Sequence, residues 1–388
     1  MWKLEMKSKD KMKSNEKMGG MDMKRRSFLK ASSTAVGGAV ALGGAPGIIR
    51  AAETSKLRFA SYISEQAMPS RLDVWFMDEV RKRSNDSIKF DTYWSSSLHN
   101  VGEHLPAVRD NRSQVTLISP GYYQSKMPAT RGLEWYYRMN RADTLQRVCR
   151  DTYEAFTPLR NEWEQRHGAK VLYWTNWYHA PLITREPVNE IEGLEGKRIR
   201  GYGVATDVIE RFGGSAVPMS ATEVYSALER GVLDGVYGFE FVTAVSYKLH
   251  EIAPYFTEIG DGPHAPAAVV ISMREWKQLP QKHREIIEEV AAEVYDHNKL
   301  ADIYEKNARD AMKAALDDGV QFSSWSDAEQ KRAAEIVQPA QVQEWIDNVA
   351  KPNGIDGEAM QDIVSKAIER HTGDGQLSKP YEIFQNLS

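Results

Sequence analysis

Arg200 stands where a short strand, Lys197–Arg200, runs into the turn Gly201-Tyr202-Gly203, immediately before a helical pattern. A guanidinium held there, beside the unpaired N–H groups of the following helix, suits a carboxylate. Its fork bonds both oxygens, and the helix terminus adds positive potential. The alternative is an ion pair closing the strand end. Tyr122, Tyr123, Trp174, Trp177, Tyr178 and Tyr202 are enough aromatics to wall a small pocket, and each reads equally as core. Asp234-Gly235 heads a strand-like run, Val236–Phe241, from which Tyr237, Phe239 or Glu240 can point into the same place. His179 and His264 are placed to line a cleft, although a structural role is the better reading for both.

Other chemistries find less support. Gly201–Thr206 reads G-x-G-x-x-T after a strand and before a helix, which invites a dinucleotide. The third glycine is missing, and the acid about twenty residues on, Glu223, falls in the first turn of a helix instead of at a strand end. The turn is therefore read as tight packing. No G-x-S-x-G, H-E-x-x-H or C-x-x-C occurs, and the nine histidines are dispersed. No catalytic residue, metal ligand or cofactor is assigned. Cys149 is the sole cysteine, which excludes an intramolecular disulfide and thiolate metal clusters; it reads as a small packed side chain. A net charge of −4 with scattered Lys and Arg leaves no basic stripe for nucleic acid.

The elements that must position these groups follow from period and punctuation. Leu57–Tyr62, Ile88–Tyr93, Val115–Ser119 and Lys170–Thr175 read as strands; Ser70–Ser84, Leu105–Asn111 and Asp151–His167 read as helices. After Arg200, Val204–Phe212 is helical and stops at Gly213-Gly214. Ser215–Val217 is a short strand, and Ser220 with Glu223 forms a capping box for the next helix, whose apolar face is Val224, Ala227 and Leu228. Strand–helix alternation argues an α/β architecture with largely parallel sheets, in which ligands sit beyond the carboxyl ends of strands. That rule gathers Ser61-Tyr62, Ser119–Tyr123, Trp174–His179 and Arg200–Gly203 around one cleft. Gln281–Asp318 lacks glycine and proline; as one helix of 38 residues it would be about 57 Å long. With no sustained heptads, it is read as a helix running across two lobes.

The stretch Gly193–Gly235 resembles the solute receptors of tripartite ATP-independent periplasmic (TRAP) transporters, the dicarboxylate-receptor family. That family's pattern is roughly L-x-G-x-K-I-R, a helix, G-A-x-P-V-P-M, then E-V-Y-x-A-L-x-x-G-x-x-D-G. Leu194, Gly196, Ile199 and Arg200 fit the first part, and Val217, Pro218 and Met219 the second. Glu223, Val224, Tyr225, Ala227, Leu228, Gly231, Asp234 and Gly235 fit the third. Trp75–Arg83, Tyr93–Leu98 and Ile118–Lys126 match other segments of the family. The resemblance implies a two-lobed periplasmic-binding-protein-like α/β fold braced by a long spanning helix. It implies a receptor, not an enzyme, that binds a small organic acid through Arg200 and delivers it to integral-membrane TRAP permease subunits. The chain departs from the pattern at D-G-V-Y-G, where Gly238 replaces an asparagine that helps hold the solute in many members. His179-Ala180-Pro181 lacks the arginine that many members carry in that loop. A second anchor for a dicarboxylate is thereby missing, and the aromatic content allows a bulkier or singly charged acid.

Lys24-Arg25-Arg26-Ser27-Phe28-Leu29-Lys30 is a twin-arginine export motif, followed by the glycine-rich apolar run Ala35–Ile49 and small residues that allow cleavage after Ala51 or Ala52. The run is too short and too rich in glycine for a membrane span of about 20 residues. The expected organisation is a signal peptide over 1–52, lobe I from 53–177 with 265–300, lobe II from 178–264 with 301–345, and a C-terminal helical extension over 346–388. The mature protein is expected as a periplasmic monomer without a nucleic-acid partner. The reading from another class is a twin-arginine-exported periplasmic α/β enzyme.

Overall fold

The computed structural model describes residues 54–387, so the twin-arginine motif, the apolar run and the cleavage site lie outside the described residues. The strands, in chain order, are β1 (Ser55–Ala60), β2 (Ile88–Tyr93), β3 (Val115–Ile118), β4 (Ala169–Asn176), β5 (Leu182–Thr184), β6 (Arg198–Gly201), β7 (Ser215–Pro218), β8 (Gly235–Val236), β9 (Tyr255–Glu258), β10 (Pro266–Ser272) and β11 (Gln321–Ser324). They form two sheets, ordered β2-β1-β3-β10-β4 and β11-β9-β5-β8-β6-β7. β1 pairs in parallel with β2 and β3, while β10 enters antiparallel between β3 and β4. In the second sheet β6 lies parallel to both β7 and β8.

Each sheet is covered on both faces, which is why β10, an inner strand of the first, is buried along its whole length and reads as a nearly continuous apolar run. Phe59, Phe76, Tyr173 and Val269 pack on one face of the first sheet, in a cluster that continues to Phe241, Phe256 and Tyr304. Trp163, Trp174 and Val270 pack on its other face. Ile199, Val208, Ile209 and Trp325 fill the far side of the second sheet. The result is a two-lobed α/β fold. The chain passes between the sheets from β4 to β5, from β9 to β10, and through the helical segment that leads from β10 to β11.

Three expected elements differ in detail. The helix expected over Asp151–His167 begins at Ala142 and stops at Ala155; Pro158 then sits in the first turn of a new helix, Thr157–Asn161, as its fixed φ allows. The run Val236–Phe241 is strand only at Val236, the last residue of β8 (Gly235–Val236), and Glu240 then caps a helix over Phe241–Ser246. The spanning helix comes in two pieces, Gln281–Glu293 and a helical stretch from His297 to Asp317, with a turn between them. No glycine or proline marks that break. The carbonyl groups it frees are taken by side chains of the helix Ala142–Ala155: Gln146 donates to Val294 O at 3.2 Å and Arg147 to Tyr295 O at 2.7 Å. Asp296 then accepts from Lys299 N at 3.0 Å, opening the second piece as an N-cap does.

Candidate functional site

Arg200 lies in the interior of the second sheet, opposite Val217 of β7 and Val236 of β8. Its parallel neighbours fix the backbone, and its carbonyl receives Tyr237 N–H at 2.8 Å. The side chain reaches past the strand ends. There Nη1 donates to Gly238 O at 3.1 Å, Nη2 to Met219 O and to the Tyr122 hydroxyl, each at 3.2 Å, and Nε to Met219 O at 3.3 Å. The guanidinium carbon stands 5.0 Å from the ring centre of Tyr202 and 5.3 Å from that of Phe239, the geometry of cation–π contact. Arg200 is 1 % exposed, and among the described residues no carboxylate lies within ion-pair distance of it. A strand-end ion pair is therefore not its role. Its burial also makes it part of the packed interior at the strand ends. A buried cation held only by carbonyls, a hydroxyl and aromatic faces remains short of one negative charge, and an anion that reaches it gains a charge-assisted bond.

The pocket in front of the guanidinium draws on both sheets. From the first side come Tyr62 and Ile63, just after β1, Tyr122 on the turn Pro120–Tyr123, and Trp177 after β4; from the second come Tyr202, Ala221, Gly238, Phe239, Glu240 and Thr243. Tyr122 and Tyr202 are stacked, ring centres 5.1 Å apart and planes inclined by 27°. The space they leave is about 20 Å³ for a water-sized sphere, room for about one water. Gly238 has φ +67, the left-handed conformation that turns its carbonyl onto Arg200 without a Cβ penalty. Glu240 is spent within its own helix, accepting from Val242 N at 2.5 Å, Thr243 N at 2.8 Å and the Thr243 hydroxyl at 2.5 Å. Burial pushes its carboxyl up to about 8, against the pull of those three donors.

Of the residues expected at the site, Arg200, Tyr122, Trp177, Tyr202, Phe239 and Glu240 come together here. Trp174 points to the opposite face of β4, edge-on to Trp163, beside a hollow of about 510 Å³. That larger space is the weaker candidate, because Arg150, Arg160 and Lys170 are balanced there by Glu154, Glu164 and Glu288. Tyr178, His179 and Tyr237 stand behind the pocket. Tyr178 donates its hydroxyl to Ser378 O, and Tyr237 donates its hydroxyl to Asp261. His179 lies against Glu258, Asp261 and Lys379, and burial drives its pKa down to about 3. Tyr123 is buried in the first sheet's outer core. Ile63, Ala221 and Thr243 were not expected. Ala221 was legible as the residue following the Ser220 cap, whose capping box with Glu223 is present. Among the described residues no cluster of His, Cys, Asp or Glu is arranged to hold a metal.

Glu134 is a buried acid close behind this turn: a Cβ on Gly203 would lie 3.4 Å from its Oε2, and its Oε1 has no partner among the described residues. Burial raises its pKa from 4.5 to about 7, with Arg131 and His264 pulling it back and Asp207 adding to the rise. Between those two values the folded chain holds a proton that the unfolded chain releases, so this group removes stability as the pH climbs through 7 and is neutral in both states well below 4.5. Glu134→Gln should melt close to wild type at pH 5 and above it at pH 8.5. Thermal unfolding at the two pH values reads the difference; an unchanged offset would mean that Glu134 does not carry the buried charge.

The model of the bacterial extracellular solute-binding protein family 7 matches residues 64–347 of the chain. The C4-dicarboxylate-binding periplasmic protein DctP of Rhodobacter capsulatus is 23% identical over 270 residues, 68% of this chain and 79% of that protein. A TRAP solute binding protein from Rhodoferax ferrireducens, solved in complex with copurified benzoate, superposes with a TM-score of 0.75 at 18% identity, covering 83% of this chain and 100% of the other. A TRAP periplasmic solute binding protein from Bordetella bronchiseptica with bound (R)- and (S)-mandelate gives 0.70 at 25% identity, covering 81% and 99%.

Proposed function

We propose, since this chain belongs to the bacterial extracellular solute-binding protein family 7, the receptors of TRAP transporters, that it binds a small organic acid at Arg200 and hands it to a membrane permease. The family is one of receptors that work with permease subunits, not of enzymes. The observation that carries the reading is the buried guanidinium of Arg200, which has no acidic partner among the described residues and forms the floor of an aromatic pocket drawn from both sheets. The relatives compared above bind a C4-dicarboxylate or were solved with benzoate or mandelate, and a carboxylate is common to all three. The three passages of the chain between sheets support the lobe division 53–177 with 265–300 and 178–264 with 301–345. The twin-arginine motif supports export to the periplasm by that route with cleavage near Ala51 or Ala52, and we read the mature receptor as a monomer.

Thermal-shift measurements on the purified protein, pairing each organic acid with its neutral amide, test the proposal. A ligand that binds only the folded state raises the melting temperature. At least one acid should do so and its amide should not, since the amide offers Arg200 no charge. A panel in which amides stabilise as well as acids, or in which no acid stabilises at all, would overturn it.

A further inference from the structure

The pocket itself narrows the class of acid, and this step rests on the receptor reading above. We propose that the solute is a planar aromatic monocarboxylate whose ring enters between Tyr122 and Tyr202 while its carboxylate reaches Arg200. Charge is the first ground. Arg200 is the sole cation among the described residues that line the pocket, and the one carboxyl among them, Glu240, is committed to its own helix cap. A second anionic group on the ligand would be desolvated with no cation to meet it, a large cost in a buried site.

Shape is the second. Tyr122 comes from the first sheet's side and Tyr202 from the second's, and both touch the guanidinium: one through its hydroxyl at 3.2 Å, the other through its ring face at 5.0 Å. About 20 Å³ is far too little for any organic acid, so the body of the ligand has to displace something. Two stacked rings from opposite sides part most readily for a third flat ring, which needs about 3.5 Å and restores a stacking contact on each face. A puckered aliphatic or sugar ring is thicker and restores neither.

Polarity is the third. Among the described residues that line the pocket, only the Trp177 indole N–H is buried without an acceptor. It supplies a second donor for a ligand oxygen, in a site walled mainly by rings and small or apolar groups.

Calorimetry on the whole mature protein with benzoate, phenylacetate, cyclohexanecarboxylate, succinate and D-glucuronate tests this. One of the two aromatic acids should bind at least ten-fold tighter than cyclohexanecarboxylate and at least a hundred-fold tighter than succinate or glucuronate. Tyr202→Leu should erase the advantage of the aromatic acid over cyclohexanecarboxylate. Trp177→Phe, which keeps the ring and loses the donor, should weaken the aromatic acid by about two- to ten-fold. Succinate or glucuronate binding as tightly as the aromatic acids overturns the aromatic class and leaves the receptor standing. An aromatic preference that survives Tyr202→Leu overturns the ring insertion, and full affinity in Trp177→Phe overturns the indole contact. Failure of every acid overturns this inference together with the receptor reading.

Discussion

Arg200→Ala is expected to lower affinity for the solute at least a hundred-fold. Stripping one partner from a buried charge pair costs about 3–5 kcal/mol, because the other charge stays desolvated and unmatched. Arg200→Lys keeps the charge yet loses the fork that spans Met219 O, Gly238 O and the Tyr122 hydroxyl, and a single ammonium cannot reach all three together with a ligand. A hydrogen bond to a charged group contributes roughly 1.5–3 kcal/mol, so the lysine variant should bind about ten-fold more weakly or worse. Because Arg200 is buried, the alanine variant leaves the Met219, Tyr237 and Gly238 carbonyl groups without its donors and should also melt several degrees lower; the lysine variant should lose less. Calorimetry on variants whose circular dichroism matches wild type separates binding from folding. Wild-type affinity in the alanine variant would show that the acid group is held elsewhere.

Gly235→Ala is expected to be the most damaging small change in the second sheet. A Cβ at this position would lie 2.7 Å from Ile183 O, 2.7 Å from Thr184 Cγ2 and 2.9 Å from Ile199 Cδ1, inside β8 where it is gripped by β5 on one side and β6 on the other. One of those contacts is backbone, so the strands themselves must spread. Overpacking of this kind costs about 1–3 kcal/mol, and a drop of several degrees in melting temperature should follow. The damage should reach the site as well. Gly235 fixes the start of the segment whose Tyr237 N–H binds Arg200 O and whose Gly238 carbonyl holds the guanidinium. A variant that melts like wild type and binds with full affinity would mean that β8 yields without cost.

The sequence made the neighbourhood of Arg200 legible because its signals are local. A glycine turn, the Gly213-Gly214 stop and the Ser220–Glu223 capping box each mark a boundary within a few residues of the chain they shape. The same reasoning failed for Trp174, Tyr178 and Tyr237. β4 is covered on both faces, so alternation along it says that Tyr173 and Trp174 point opposite ways without saying which way the pocket lies. Tyr178 sits at φ +56 in a passage between sheets, and only the distant Ser378 carbonyl explains where its hydroxyl goes. The break after Glu293 belongs to the same kind: Gln146 and Arg147, far back in the chain, take over the carbonyl groups, and Asp296 was the one nearby hint. Around Arg200, features set by residues adjacent in sequence were readable, while the Glu240 cap and the restart at Pro158 are local signals that were passed over. Features set by whichever element happens to pack across the gap were not readable.

The position of β10 governs the order in which the molecule can be built. It fills the slot between β3 and β4, so the first sheet cannot knit together until a strand made after almost the whole second sheet has emerged. The second sheet waits in turn for β11, which is made later still and pairs with β9 at its edge. Neither half can finish from an uninterrupted length of chain, so folding must draw together segments more than a hundred residues apart, the kind of long-range closure that slows a search and leaves unfinished strand edges exposed meanwhile. A ribosome that stalls before Ser272 releases two incomplete sheets instead of one finished lobe, and cutting the gene at a passage between the sheets should yield fragments that rescue each other only when mixed.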